Sequence, residues 1–271
     1  MIVGLELTAA GVVAGLFGSL LGLGGGTLMV PLLTLVFGLP LLTAVGVSLV
    51  CVIVTSGAAA GVFLERHVAN LRLGMTLELF TAIGALGGGL IAFLLPERVI
   101  EVLFSGMLAY VAITMARRGR VVVPPEPEVS EVDPSPESAF VADLSGPGYR
   151  VHRLRLGAVG SVFAGVVSAL LGIGGGLIKV PVMHVIMGVP LRVATATSNL
   201  MMGITASAGA IIYLLRGGID PYVATPTAIG VFVGASIGSR IAHRIDLRIL
   251  RGLFVAILLY TAWQMLQRGL A

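Results

Sequence analysis

Apolar positions along this chain come in long runs, with neither the alternation of strands nor the one-sided stripe of water-soluble helices. From Leu7 to Leu64 there is no Asp, Glu, Lys or Arg. A membrane-spanning helix needs about 20 apolar residues, so this stretch alone holds at least two spans. Apolar blocks recur at 3–37, 40–64, 74–95 and 99–116, and again at 156–187, 190–215, 221–243 and 247–267. Their Leu, Ala and Gly content, without the dyad repeat of an outer-membrane barrel, predicts an all-α polytopic membrane protein. The opening MIVGLELTAAGVV lacks a basic leader and a clear small-residue cleavage site, so it reads as the first membrane segment.

The two sets of blocks are copies. Shifting the chain by 150 positions aligns it with itself without a gap, and 14 of the 36 residues from 15 to 50 match. The matches include Gly15/Gly165, Pro31/Pro181, Gly38/Gly188, Pro40/Pro190 and Ser48/Ser198, and the register runs on through Gly84/Gly234, Gly88/Gly238 and Tyr110/Tyr260. The expected domains are therefore a first membrane repeat, 1–118, a linker, 119–152, and a second repeat, 153–271. The linker contains PPEPEVSEVDPSPES, which has too little apolar surface to fold alone and is expected to be disordered.

The first block of each repeat is too long for one simple span and is interrupted by glycines: GLGGGTLMVP at 22–31 and GIGGGLIKVP at 172–181. These interruptions predict broken or re-entrant helices. All sixteen arginines lie near block ends or in loops, so the positive-inside rule can choose a topology. With a cytoplasmic linker and a single crossing of the broken block, the repeats are parallel and ten arginines face the cytoplasm. If the broken block is instead a hairpin, the repeats are inverted, both termini lie outside and thirteen arginines face in. The inverted arrangement is preferred; it is known among secondary transporters, whose sites lie near the bilayer midplane.

Composition sharpens this picture. The chain is 57% hydrophobic and 11% charged, against about 25% charged in soluble domains. The net charge of +4 belongs to arginines at membrane edges rather than to a nucleic-acid surface. Cys51 is the only cysteine, which excludes an intramolecular disulfide. No HExxH motif, cysteine cluster or nucleophile–base set points to catalysis, metal or a cofactor. The glycine runs lack the Gly-Lys-Ser/Thr of a phosphate-binding loop.

In hydrocarbon an unwound backbone needs partners for its N–H groups. Unwinding at Gly24, Gly25, Gly26 and Thr27, and at Gly174, Gly175, Gly176 and Leu177, would start two half-helices whose N-termini attract an anion. The alternative is that these glycines only allow close helix packing. Lys179, the only lysine of the chain, follows the second motif. It either supplies a positive charge to a substrate or snorkels to the cytoplasmic edge; Met29 stands at its counterpart. Ser48 and Ser198 recur, and Thr197, Ser198 and Asn199 are candidates for pore lining or for helix–helix hydrogen bonds. Glu78 either relays protons or, as the preferred reading, lies near the cytoplasmic edge, and His184 either titrates or, as the preferred reading, is structural.

These residues bring out a likeness. GLFGSLLGLGGGTLMVPLL at 15–33, GVVSALLGIGGGLIKVPVM at 165–183 and GVPLRVATATSNLMMG at 188–203 resemble the sulfite exporter TauE/SafE family of membrane permeases. The resemblance implies a multi-pass protein of the cytoplasmic membrane that moves sulfite, sulfonates or related sulfur-containing oxyanions, with no nucleic-acid partner. It leaves another solute, or a scaffold acting through the linker, as alternatives, and a homodimer open as the assembly. Export of a monoanion from a cell with a negative interior gains about 2.3 kcal/mol per 100 mV, so no ATP site is required.

Overall fold

The computed structural model describes residues 2–21, 25–65, 69–118, 144–146, 149–241 and 247–270. These form ten helices. In the first half they are α1 (Ile2–Leu21), α2 (Gly26–Leu35), α3 (Leu41–Glu65), α4 (Leu71–Ala92) and α5 (Glu97–Arg118). In the second they are α6 (Leu154–Leu171), α7 (Gly176–Pro181, continued by a π-helical turn, Val182–Ile186), α8 (Leu191–Leu215), α9 (Pro221–Ile241) and α10 (Leu247–Leu270). Seven are long and apolar enough to cross a membrane, and α2 and α7 are the short ones. Apolar residues also cover much of the outside, among them Leu5, Leu215 and Trp263 at 74%, 77% and 60% exposure. That surface suits lipid, not water.

The long first block of the second half is a hairpin. Helix α6 ends at Leu171, and α7 runs back alongside it. The His152 N–H donates to the Met187 carbonyl at 3.0 Å, and a methyl group on Gly157 would strike the Met187 sulfur at 2.4 Å. The start and end of the block therefore lie together. Pro181 has no N–H to continue the helical ladder, and the π turn begins directly after it. Turns at Gly38 and Gly188 follow the short helices with φ of +66° and +73°, a backbone region open to glycine.

Small residues set how the halves interlock. Gly11 and Gly15 of α1 pack on α9, and Gly230 and Gly234 of α9 pack back on α1. A Cβ on Gly15 would lie 2.3 Å from the Val231 carbonyl oxygen, and one on Gly234 2.1 Å from that of Val12. The same interlock joins α4 to α6. There a Cβ on Gly165 would lie 2.0 Å from the Thr81 oxygen, and one on Gly84 2.1 Å from the Val162 oxygen. The Gly15–Val231 and Gly165–Thr81 contacts are each other's shifted by 150 residues, and so are Gly234–Val12 and Gly84–Val162. The rising pairing makes α1 parallel to α9 and α4 parallel to α6. Helices α3 and α8 run antiparallel instead: Gly46 lies against Gly218, Leu49 against Gly209, and Ser56 bonds the Asn199 carbonyl at 2.6 Å. The Ser105 hydroxyl likewise ties α5 to α10, donating to the Ala262 carbonyl at 2.8 Å.

Part of the linker lies outside the described residues, but its end is packed. Leu144 and Val151 are buried against the end of the bundle. The Asn70 side-chain amide donates to the Leu144 carbonyl and to the Tyr149 hydroxyl, both at 2.8 Å. Residues 144–146 and 149–152 thus depart from the expected disorder, because Leu144, Tyr149 and Val151 supply apolar surface that the Pro-Glu-Ser stretch lacks. Burial pushes the Tyr149 phenol up, and its bond with Asn70 offsets this only in part.

Candidate functional site

The helix break of the second half is built by three glycines. Gly172, Gly174 and Gly175 have φ of +67°, +80° and +76°. The Gly172 and Ile173 amides cap α6 by donating to the Ser168 carbonyl, and the α7 ladder starts with Ile178 and Lys179 donating to that of Gly175. The amides of Gly176 and Leu177 thus precede the ladder. In the first half Gly25 is right-handed and caps α2, and the first ladder bond runs from Met29 to the Gly25 carbonyl. The two motifs therefore do not share one conformation. Gly24 lies outside the described residues.

The motifs meet inside the bundle. A Cβ on Gly26 would lie 2.5 Å from the Gly172 carbonyl oxygen. The buried Ser48 hydroxyl sits between them, 2.7 Å from the Gly172 oxygen and 3.1 Å from the Gly26 oxygen. Gly174 and Gly176 pack on Met202 of α8, and the Ser198 oxygen lies 3.4 Å from the Cβ position of Gly176. Among the described residues three buried hydroxyls on or against the two motifs have no hydrogen-bond partner: Thr27 next to Gly26, Ser168 beside Gly175 and Ser198 beside Gly176.

Other candidates sit elsewhere. Gly25 faces Thr55 and Val231. Thr197 accepts from the Asn70 N–H at 3.0 Å near the end of the bundle. The carbonyl of Asn199 is taken by Ser56. His184 of the π turn lies with Nδ1 2.9 Å from the Val189 carbonyl.

Lys179 does not reach an edge. Its side chain is 1% exposed and its Nζ lies 2.9 Å from Oε2 of Glu78, itself 5% exposed. Thr205 of α8 accepts from Lys179 and donates to Glu78 Oε1 at 2.6 Å. The pairing crosses from one half to the other, and reading the residues singly misses it. Its signal is nonetheless in the repeat: Lys179 has Met29 as counterpart and Glu78 has Ala228. Two buried charges that each break the repeat must be balanced from outside their own copy.

An all-α chain with seven such helices, two short helices and a buried ion pair is a multi-pass membrane protein. It belongs to the family described as sulfite exporter TauE/SafE, whose model matches residues 7–265. The chain is 21% identical over 271 residues to "Probable membrane transporter protein YunE" of Bacillus subtilis (strain 168), covering 97% of each chain. It is 25% identical to "Probable membrane transporter protein YdhB" of the same organism, over 90% of each. To "Probable membrane transporter protein MJ0441" of Methanocaldococcus jannaschii it is 26% identical, over 93% of this chain and 91% of the relative. No solved structure matches.

Proposed function

We propose that the chain is a secondary transporter that exports sulfite or an organosulfonate across the cytoplasmic membrane, with the anion held where the two glycine motifs meet. The observation that carries this reading is the set of buried hydroxyls on or against the two motifs, Thr27, Ser168 and Ser198, that have no partner among the described residues. A buried hydroxyl without a partner costs about 1–3 kcal/mol, and native proteins keep few of them. An oxyanion with several acceptor oxygens would satisfy hydroxyls and first-turn amides together. The Ser48 hydroxyl shares its one proton between the two motif carbonyls, which lessens the negative potential they turn toward an anion.

The antiparallel α3–α8 pair supports inverted halves, since α3 and α8 hold equivalent places in the two repeats. The hairpins then enter from opposite sides, and rocking of one half against the other would expose the junction alternately. The arginines that flank the linker, Arg117, Arg118, Arg120, Arg150, Arg153 and Arg155, favour a cytoplasmic linker under this topology.

Flux into proteoliposomes of sulfite, thiosulfate, sulfoacetate and acetate tests the reading. Protein-dependent flux of the sulfur oxyanions over acetate is expected. Equal flux of acetate, or none of any anion, would overturn it.

A further inference from the structure

Lys179 and Glu78 form a closed, buried ion pair, and the pair adjoins the second glycine motif. The Lys179 Cε lies 3.5 Å from the point where a Gly175 Cβ would sit, and the Cβ of Ser168, whose hydroxyl has no partner, lies 3.3 Å from the same point. The lysine and the serine thus both border the place that a side chain at 175 would fill. Thr205 holds both charged groups from a third helix.

The charge balance of this space is narrow. Lys179 and Glu78 together are neutral, and a neutral buried pair is tolerable where a lone buried charge costs several kcal/mol. A monoanion drawn to Lys179 brings the total to minus one. Releasing the lysine from Glu78 without compensation leaves a carboxylate buried and unpaired. A proton on Glu78 restores neutrality, and Thr205 still offers it a hydrogen-bond partner.

The other charged groups on the surrounding helices do not take this role. Arg72 of α4, Arg155 of α6 and Arg192 of α8 lie exposed at helix starts, and His184 is held at Val189. At the repeat-related position, Met29 is fully buried and Thr55 bonds carbonyls of its own helix. Among the described residues the arrangement is single, and it lies on the second hairpin.

We propose that Glu78 is a built-in stand-in for the transported anion on Lys179, and that it takes up one proton whenever that anion displaces it. Transport is then electroneutral: one proton accompanies one monoanion in the same direction. The membrane potential drops out of the driving force, and the anion and proton gradients set the direction. This rests on the anion-transport reading above.

The test uses the full chain in proteoliposomes with sulfite at mildly acid pH, where the monoanion predominates, and a potential clamped by potassium and valinomycin. Wild-type accumulation of sulfite at equilibrium should not respond to the potential. A monoanion moving alone would accumulate about 50-fold more per 100 mV, from 2.3 kcal/mol at 1.36 kcal/mol per tenfold. In Glu78→Gln the coupling is removed and that response should appear, whereas Glu78→Asp should stay unresponsive. A potential-driven wild type, or a Glu78→Gln protein as unresponsive as wild type, would overturn the coupling while transport stands. Absence of protein-dependent sulfite flux would instead remove the transport reading itself. The wild-type arm is decisive even if the Gln variant does not insert.

Discussion

At the scale of residues, two serines related by the repeat carry opposite expectations. Ser48 bonds both motif carbonyls, so Ser48→Ala should lower stability by about 1–3 kcal/mol, read as earlier unfolding in detergent. Ser198 has no partner among the described residues, so Ser198→Ala should leave stability the same or slightly higher while sulfite flux falls. A flux equal to wild type would return Ser198 to mere packing. The sequence named both serines, yet it could not tell them apart, because the difference lies in what crosses over from the other half. It also named Lys179, but left open an exit to the membrane edge that the buried carboxylate of Glu78 closes.

Among elements, the glycines divide into two kinds. Those in the interrupted motifs break helices, and those at Gly11, Gly15, Gly84, Gly165, Gly230 and Gly234 bring helix backbones together. A Cβ at 2.0–2.3 Å from a carbonyl oxygen, as at Gly165 or Gly15, forces two helices apart along their whole contact. Gly15→Ala and Gly165→Ala should each cost about 1–3 kcal/mol, as overpacking does, and by similar amounts because they occupy equivalent places. Chemical or thermal unfolding in detergent would show it; a silent substitution at either would contradict the interlock. The four-residue glycine spacing was visible in the sequence as a repeat. Its pairing was not: the partners sit on helices from opposite halves, α1 with α9 and α4 with α6. The helix boundaries themselves were legible to within a few residues, since each apolar block ends at a charge, a glycine or a proline.

At the scale of the whole molecule, the proposed topology puts both termini on one side and the linker on the other. Cys51 is fully buried, so cysteines introduced at Val3 and Leu270, which are 61% and 74% exposed, can be labelled in a background lacking Cys51. Impermeant thiol reagents should reach both from outside the cell and His152→Cys only from the cytoplasm. Labelling of Leu270→Cys only from the cytoplasm would contradict inverted halves. The repeat made the two-part plan legible, and the arginines suggested its orientation. That the end of the linker packs on the bundle was not legible, since Leu144 and Val151 are isolated apolar residues beside a stretch of prolines and acids. The most direct test of the central claim is a cryo-EM map of the chain in a lipid nanodisc with saturating sulfite. The account predicts density for an anion at the junction of the glycine motifs, within hydrogen-bond reach of the Ser198 or Ser168 hydroxyl. An ordered sulfite bound elsewhere in the bundle, with the junction closed by packed side chains, would contradict it.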